Sequence, residues 1–564
     1  MKMTKALFCV LSLALCAATA AGNPAVTDST ASDSIASDNT ASAVPQWFRS
    51  AVIYQVYPRS FADSDGDGMG DLNGITQKLD YIRDLGCNTL WINACFASEF
   101  RDGGYDVTDY YTVAPRYGTN ADMRRLIDAA HARGMYVLLD LVAGHTSDRH
   151  PWFLQSKRGG DGPYSRRYIW TADTAVCPPK FVRPEPAAAA DTAGVAGADS
   201  VRNGNYLKNY FPFQPALNYG YGIVNAANPW EEPLTAPAPT ATRRELMRIM
   251  DFWAGMGCDG FRIDMAGSLV KNDPQLTATA QLWNEVRAHY RTVSPQGVLL
   301  AEWGHPDKAR RIGFTADFLF QFGLSGWRDL FCNETGVYRR DTCYFDTRGL
   351  GSPRRFIAAL TASLDSLGND GMVCLPTGNH DVQRLNCGRR DSDAQFKAAL
   401  AFLLLQPCVP CIYYGDEIAM RYREDMPDIE GSVIAAGNRA GSRTPMEWER
   451  VPGQMADSAS IYNTVRRLLQ LRRLHPALAA GGKADFLTDT AGAAYPLAFV
   501  RSDGNETFLI AVNPSGRSVT ANYTCPLPAS APAVVAAGGD GDLTAAGDCL
   551  TVRLAPVSYA VWRL

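Results

Sequence analysis

Eight short apolar runs alternate along the chain with segments whose apolar residues recur at helical spacing. The strand-like runs are residues 53–57, 89–93, 136–141, 258–264, 298–303, 316–322, 372–376 and 411–415. Between them, residues 75–86, 123–134 and 243–257 carry the helical spacing and end in glycine, a common helix stop. Because strands that alternate with helices are typical of α/β folds, we predict a (β/α)8 TIM barrel.

Two parts of the chain depart from this alternation and predict further domains. The interval between the third and fourth runs is too long for one helix, so we assign 46–145 and 241–478 to the barrel and 146–240 to an inserted subdomain B. After a predicted helix over 461–474, residues 479–564 alternate between apolar and polar positions, with turn residues between the runs. This pattern predicts a C-terminal β-sandwich.

The first residues have the pattern of a secretory signal peptide. Lys2 and Lys5 precede the apolar stretch 6–17 and the small residues 18–20, so we predict a signal peptide over 1–21. Residues 22–45 are rich in Ser, Thr, Ala and Asp, which favours a flexible linker. We expect a secreted or periplasmic protein with no transmembrane span after signal removal. The alternative is a lipid anchor at Cys16, which would attach the protein to a membrane surface.

The composition indicates a large globular protein rather than a disordered or nucleic-acid-binding one. Of the 564 residues, 46% are hydrophobic, which is enough for a large core. The net charge of −4 and the lack of a long basic run argue against nucleic acid as a partner. The 14 cysteines suit an oxidising compartment, but their spacing does not predict which of them pair.

Three acids follow strand-like runs. Asp264 ends GFRID, Glu302 lies in VLLAEW, and Asp381 ends PTGNHD. The carboxyl ends of barrel strands meet on one face, where barrel enzymes place their sites. Because cleaving a glycosidic bond requires one ionised carboxylate and one protonated acid, the joint occurrence of these acids predicts a glycosidase site. Arg262, two residues before Asp264 and on the same face of the strand, is predicted to hold Asp264 ionised.

Four further segments carry a resemblance to a known family. They are AVIYQVYPRSF (51–61), GGYDVTDYY (103–111), IYYGDEIAM (412–420) and RTPMEW (443–448). With the three acids, they make the chain similar to the α-amylase family of glycoside hydrolases, family 13, over about 47–564. Within the family, the chain resembles the branch of oligo-1,6-glucosidases and α-glucosidases.

The resemblance implies a role for each matched residue. Asp264 would be the nucleophile, Glu302 the general acid/base, and Asp381 the acid that binds the sugar and stabilises the transition state. Asp102 and Arg443 would pair to hold the non-reducing terminal glucose of the substrate. The other residues lining that subsite would be Tyr105, stacked under the ring, with His145, Arg262 and His380.

One loop has the pattern of a calcium site outside the chemistry. Residues 63–71, DSDGDGMGD, place acids at alternating positions with a glycine at the sixth, which suits oxygen ligands around a hard cation. We predict a structural calcium ion; the alternative is an acidic turn without metal. The resemblance implies as ligands Asp63, Asp65, Asp67, the carbonyl of Met69, and Asp71.

Three positions depart from the family pattern. Gly144 stands where the family usually has an asparagine, and Ala216 stands where the branch usually has an aspartate. Met265, which follows the implied nucleophile, matches the residues of neither α-1,4- nor α-1,6-specific members. The preference between these linkages therefore stays open.

Three hypotheses from different classes remain. The first is a secreted retaining hydrolase that cleaves α-1,4 and/or α-1,6 glucosidic bonds in starch-derived or related oligosaccharides through a covalent glucosyl-Asp intermediate; an endo-acting α-amylase is its variant. The second is a trehalose synthase or glucosyltransferase that uses the same site. The third is a non-catalytic carbohydrate-binding protein, which the presence of all three acids argues against.

Overall fold

The computed structural model describes residues 44–184, 202–319, 326–331, 342–368, 371–434, 437–525 and 532–564. The predicted signal peptide, Cys16 and the predicted linker up to residue 43 lie outside the described residues. Within the described part of the chain, no helix is both long and apolar enough to cross a membrane.

Eight parallel strands close into a barrel, which confirms the fold predicted from the eight apolar runs. They are β1 (Ile53–Val56), β2 (Thr89–Ile92), β3 (Tyr136–Leu141), β4 (Gly260–Ile263), β5 (Val298–Ala301), β6 (Ala316–Phe318), β7 (Met372–Pro376) and β8 (Val409–Tyr413). Each strand pairs with its neighbours in the chain, and β8 returns to β1, where Ile53 lies between Cys411 and Thr89. Because β4 and β5 end at Ile263 and Ala301, the acids that follow them stand in the loops at the barrel mouth.

The barrel interior has an apolar layer below a polar one. The apolar layer contains Ile53, Trp91, Leu138, Leu300 and Val409. Phe48, from the helix before β1, packs against this layer and closes the amino-terminal end. Further along the strands, Gln55, Asp140 and Arg262 are buried although they are polar. Since buried polar groups require partners, this layer marks the carboxyl end of the barrel as the place of a site.

The helices pack around the barrel, and most follow the predicted spacing. The described α-helices are Gln46–Arg49, Pro58–Phe61, Leu72–Gln77, Leu79–Leu85, Asn120–His131, Pro151–Arg158, Pro237–Gly255, Thr277–Val293, Pro306–Arg311, Trp327–Phe331, Arg354–Leu367, Asp393–Leu404, Val451–Ala456 and Ile461–Leu474. The predicted helix over 75–86 is instead interrupted at Lys78, which leaves the helical conformation. The last helix lies where the sequence predicted it.

Three excursions from the barrel surround its carboxyl end. After β2, the short strands Phe96–Ser98 and Val107–Val113 pair, and after β8, Val433–Ile434 pairs with Gly437–Asn438. The insertion after β3 contains the helix Pro151–Arg158 and the pair Phe181–Val182 with Tyr206–Leu207. The helix that leads to β4 begins at Pro237, inside the predicted insertion, because proline fits the first helical position.

The C-terminal residues form two packed antiparallel sheets, which confirms the predicted β-sandwich. Its strands are β9 (Asp485–Leu487), β10 (Leu497–Ser502), β11 (Thr507–Asn513), β12 (Val519–Thr524), β13 (Ala533–Gly538), β14 (Gly541–Ala546), β15 (Cys549–Leu554) and β16 (Ser558–Arg563). One sheet has the order β9-β10-β11-β16-β13 and the other β12-β15-β14. Buried Arg501 of β10 donates to the carbonyl of Leu405, at the end of a barrel helix, and so ties the sandwich to the barrel.

Candidate active site

A cavity of about 500 Å³ lies at the carboxyl ends of the barrel strands. The predicted residues that line it are Asp102, Tyr105, His145, Asp264, Glu302 and Asp381. Arg262, His380 and Arg443 lie behind these residues and contact their carboxylates. The structure therefore brings all of the predicted catalytic and substrate-binding residues together.

Arg262 contacts three carboxylates at the floor of the cavity. Its Nη1 lies 2.7 Å from Asp140 and 3.0 Å from Asp264, and its Nη2 lies 2.6 Å from Glu302. The backbone N–H of Met265 donates to the other oxygen of Glu302 at 3.0 Å. Because the Arg262 side chain is fully enclosed, these bonds fix where Asp264 and Glu302 stand relative to each other.

Arg262 contacts Asp264 as predicted, but its charge does not outweigh burial and the charge of Glu302. Burial raises the pKa of Asp264 well above its usual range, the charge of Glu302 raises it further, and Arg262 opposes them only in part. Burial also raises the pKa of Glu302. The reason is that one guanidinium is shared among three acids. The two carboxyl groups therefore retain a proton between them at a pH where solvated carboxyls would have lost it.

Asp381 has the opposite electrostatic environment. Its Oδ1 accepts hydrogen bonds from Arg439 at 3.0 Å and from Arg443 at 2.8 Å, and Nε2 of His380 lies 3.3 Å from Oδ2. Loss of solvation in the cavity acts to raise the pKa of Asp381, but His380 and the two guanidinium groups outweigh it and hold the pKa well below its usual range. Burial lowers the pKa of His380 itself to about 3, so the imidazole is neutral near pH 7.

Asp102 pairs with Arg439, so the implied pair of Asp102 with Arg443 is wrong. Nη2 of Arg439 donates to Oδ1 of Asp102 at 2.8 Å, and Gln214 donates to Oδ2 at 2.7 Å. The guanidinium of Arg443 is directed instead to Asp381. Arg439 therefore bridges Asp102 and Asp381.

Tyr105 is held in place by a buried polar network. Its ring stacks on His380 with centroids 5.3 Å apart and an interplanar angle of 2°. Its hydroxyl donates to Asp140 at 2.8 Å and accepts from Asn93 at 3.0 Å. The ring orientation in the cavity wall is therefore fixed, and its stacking under a sugar stays a prediction.

Both ring nitrogens of His145 bond to the protein. Asn209 donates to Nδ1 at 2.8 Å, so Nε2 is the protonated nitrogen and donates to the carbonyl of Tyr105 at 3.0 Å. Burial lowers the pKa of His145 to about 4, which leaves the ring neutral near pH 7. A Cβ at Gly144 would lie 3.0 Å from the amide nitrogen of Asn209. An amide from the insertion therefore fills the space beside Gly144, where the resemblance expects an asparagine.

The acidic loop brings three of its predicted ligands together. Carboxylate oxygens of Asp63, Asp65 and Asp71 lie within 4.8 Å of one another. An oxygen-only set of this kind fits a hard cation such as calcium. The carboxylate of Asp67 lies outside this group and accepts the backbone N–H of Met69 at 2.7 Å, and its role as a ligand stays a prediction. The carbonyl of Met69 stays a predicted ligand.

The comparison that decides the family is a match of residues 55–481 to the model of the alpha amylase catalytic domain. The chain belongs to the α-amylase family. It is a family 13 glycoside hydrolase, in agreement with the resemblance seen in its sequence.

Relatives within the family carry more than one activity in their names. The chain is 30% identical over 540 residues to a probable alpha-glucosidase of Rhizobium meliloti, covering 84% of this chain and 90% of that protein. It is 31% identical over 515 residues to the trehalose synthase/amylase TreS of Mycobacterium tuberculosis, covering 78% and 77%. Trehalulose synthase MutB of Pseudomonas mesoacidophila superimposes with a TM-score of 0.72 at 24% identity, covering 92% and 99%, and supports the fold.

Sequence reasoning did not find several residues of this family 13 site, among them Arg439, Gln214, Trp303 and Tyr210. Arg439 lies shortly before Arg443 in the chain, beside the recognised RTPMEW motif. Gln214 begins the segment QPALN that contains Ala216, which was also recognised. Trp303 follows Glu302 directly and also lines the cavity. Tyr210, in the insertion, had no signal of its own, since an exposed aromatic in a loop has many roles.

Removal of calcium is expected to lower thermal stability more than activity. The ligands lie in a loop outside the cavity, so an ion bound there stabilises the folded state by mass action without taking part in the chemistry. Melting curves and initial rates with and without EDTA measure this. Asp63→Asn should abolish the response to EDTA, whereas Asp540→Asn, a control at an exposed acid outside the loop, should keep it. A melting curve that EDTA does not change would contradict the calcium site.

Asn209 and Gly144 are expected to be energetically coupled. Asn209→Ala removes the donor to Nδ1 of His145, which should lower kcat/KM several-fold, in line with the loss of about 1 kcal/mol for one hydrogen bond. Gly144→Asn should lower it further, because the new side chain collides with Asn209. The double variant should be more active than Gly144→Asn alone, since loss of the Asn209 amide leaves space for the side chain introduced at position 144. Additive losses in a double-mutant cycle would contradict this coupling.

Proposed function

We propose that this family 13 enzyme is a retaining α-glucosidase that removes glucose from the non-reducing ends of α-glucosidic oligosaccharides. The observation that supports it most is the charged network at one end of the cavity. Arg439 bridges Asp102 and Asp381 there, and Gln214 completes the contacts of Asp102. Gln214 and Arg439 are buried, so the network presents a fixed set of charged and amide groups to the cavity. Such a set suits the hydroxyl groups of a terminal glucose.

The first chemical step transfers glucose to the enzyme. Ionised Asp264 attacks the anomeric carbon while Glu302 gives its proton to the glycosidic oxygen, and the bond to the leaving sugar breaks. A covalent bond from glucose to Asp264 forms as the shortened oligosaccharide departs. The raised pKa of Glu302 suits the acid role, because it keeps the proton available near neutral pH. Once Glu302 is protonated, its charge no longer opposes ionisation of Asp264.

The second step returns the enzyme to its starting state. Water attacks the same carbon, Glu302 takes the proton of that water, and the bond to Asp264 breaks to release glucose. Two displacements at one carbon retain the α configuration. Asp381 stays ionised throughout, because Arg439 and Arg443 stabilise its charge, and it holds sugar hydroxyl groups through the transition state.

Glucosyl transfer to a sugar is the second candidate function. The same intermediate would give a new disaccharide if a sugar hydroxyl replaced water, and relatives named trehalose synthase match the chain as well as the probable alpha-glucosidase does. The predicted signal peptide supports the hydrolytic alternative, since export from the cytoplasm favours breakdown of external oligosaccharides. The products distinguish the two.

Product analysis is the test of the proposed function. Purified protein is incubated separately with maltotriose, isomaltose, trehalose, sucrose and soluble starch, and the products are separated by chromatography. We expect glucose from maltotriose or isomaltose, which also identifies the linkage. Mixed maltooligomers from starch would instead indicate an endo-acting amylase, and new disaccharides a transferase. Asp264→Asn should abolish turnover without loss of fold, and full residual activity in this variant would contradict the assigned nucleophile.

The pH dependence is expected to report the proton shared by Asp264 and Glu302. Because burial raises both pKa values, the proton is lost only as pH rises above the usual carboxyl range, which sets an alkaline limb in kcat/KM. Ionisation of Asp381 should not change kcat/KM near neutral pH, since its pKa is low. With α-glucosyl fluoride, whose leaving group needs little protonation, Glu302→Gln should lose the alkaline limb. An alkaline limb that survives in this variant would contradict the role of Glu302.

A further inference from the structure

We propose that Trp303 is the binding surface for the sugar on the leaving-group side of Glu302, a pyranose ring stacked on its indole. The proposal rests on the proposed function and adds to it the subsite that selects the second sugar. Three independent observations support it: the place of Trp303 in the cavity, its contact with Gly267, and the anchoring of its backbone by Asp317.

The network around Asp381 and the residue Trp303 lie on different sides of the cavity. Asp381 and Arg439 follow β7 and β8, and with Asp102 they form the network that would hold the terminal glucose. Gly267 and Trp303 follow β4 and β5, which stand across the ring from β8 and β1. Because Glu302 would protonate the oxygen of the leaving sugar, that sugar lies on the side of Glu302, and Trp303 follows Glu302 directly and lines the same cavity.

The indole of Trp303 lies directly against the backbone of Gly267. A Cβ at this glycine would come within 2.2 Å of Cε2 and 2.4 Å of Nε1 of the indole. Gly267 does not have a positive φ, so close approach of the ring rather than backbone conformation requires glycine here. The contact fixes one side of the ring, and Trp303 also lines the cavity.

Asp317 holds the backbone of the segment that carries Trp303. Its Oδ1 accepts the N–H groups of Trp303 at 3.0 Å and Gly304 at 3.3 Å, and its Oδ2 accepts that of His305 at 2.7 Å. Asp317 belongs to β6 and is completely buried. A ring whose backbone and one side are both fixed loses little freedom when a sugar stacks on it, which favours binding.

Trp303 differs from a tryptophan with a purely structural role. Trp283, nearby, is completely buried, and its Nε1 donates to the carbonyl of Ala266. Trp303 lines the cavity, and among the described residues no group accepts a hydrogen bond from its Nε1. Aromatic faces combine an apolar surface with a polar edge, which matches the C–H groups and hydroxyls of a pyranose.

The test compares a substrate that has a leaving sugar with one that does not. For wild type and Trp303→Ala, kcat/KM is measured with the preferred disaccharide and with α-glucosyl fluoride. The kcat/KM for the disaccharide, divided by the kcat/KM for α-glucosyl fluoride, should fall at least tenfold in Trp303→Ala. This ratio should recover largely in Trp303→Phe. Gly267→Ala, which displaces the indole, should lower the ratio in the same direction. Trp47→Ala, the matched control at the opposite end of the barrel, should leave the ratio unchanged.

The outcomes separate this proposal from the proposed function. If wild type cleaves both substrates and Trp303→Ala keeps the ratio, whether or not its overall rate falls, the role of Trp303 is structural and the proposal is wrong. If Trp303→Ala fails to fold, Gly267→Ala decides by the same ratio. If wild type releases glucose from neither substrate, the proposed function is itself wrong and the subsite falls with it.

Discussion

One buried guanidinium organises the catalytic end of this protein. Arg262 contacts Asp140, Asp264 and Glu302 at once, and those residues come from three consecutive barrel strands or the loops just after them. Burying one positive charge among several carboxyl groups is favourable only if every partner is well placed, so the strand ends must keep their register for the cluster to persist. The barrel thus supplies more than a scaffold, because its closure is what holds the acids around one arginine.

Carboxyl groups that line the same cavity have pKa values shifted in opposite directions. The pair Asp264 and Glu302 shares one arginine and has raised pKa values, whereas Asp381 has two arginines and a lowered one. The ratio of guanidinium to carboxyl groups therefore decides which acid carries the proton. This division of charge is what glycoside cleavage demands, one proton donor beside permanently ionised groups.

The sequence predicted the features that depend on local pattern. Strands buried on both faces appear as apolar runs, so the barrel and the acids that follow β4 and β5 were visible. The partner of Asp102 was not, because Arg439 and Arg443 lie in one loop, and only the folded path shows which guanidinium reaches which acid. The contact of Asn209 with His145 escaped for the same reason, since it joins the insertion to the barrel. Asp67 has the spacing of a ligand, and its role stays a prediction, since its carboxylate lies outside the group that Asp63, Asp65 and Asp71 form.

The ion pair of Asp102 with Arg439 joins residues 337 positions apart in the chain. During synthesis, the segment with Asp264 and Glu302 therefore emerges long before the segment that completes the pocket. Contacts between such distant residues form late in folding, because the intervening chain must first be ordered. A chain that ends before Arg439 has its nucleophile and acid but lacks the arginine that bridges Asp102 and Asp381, so the pocket is completed only after the last barrel strand has been made.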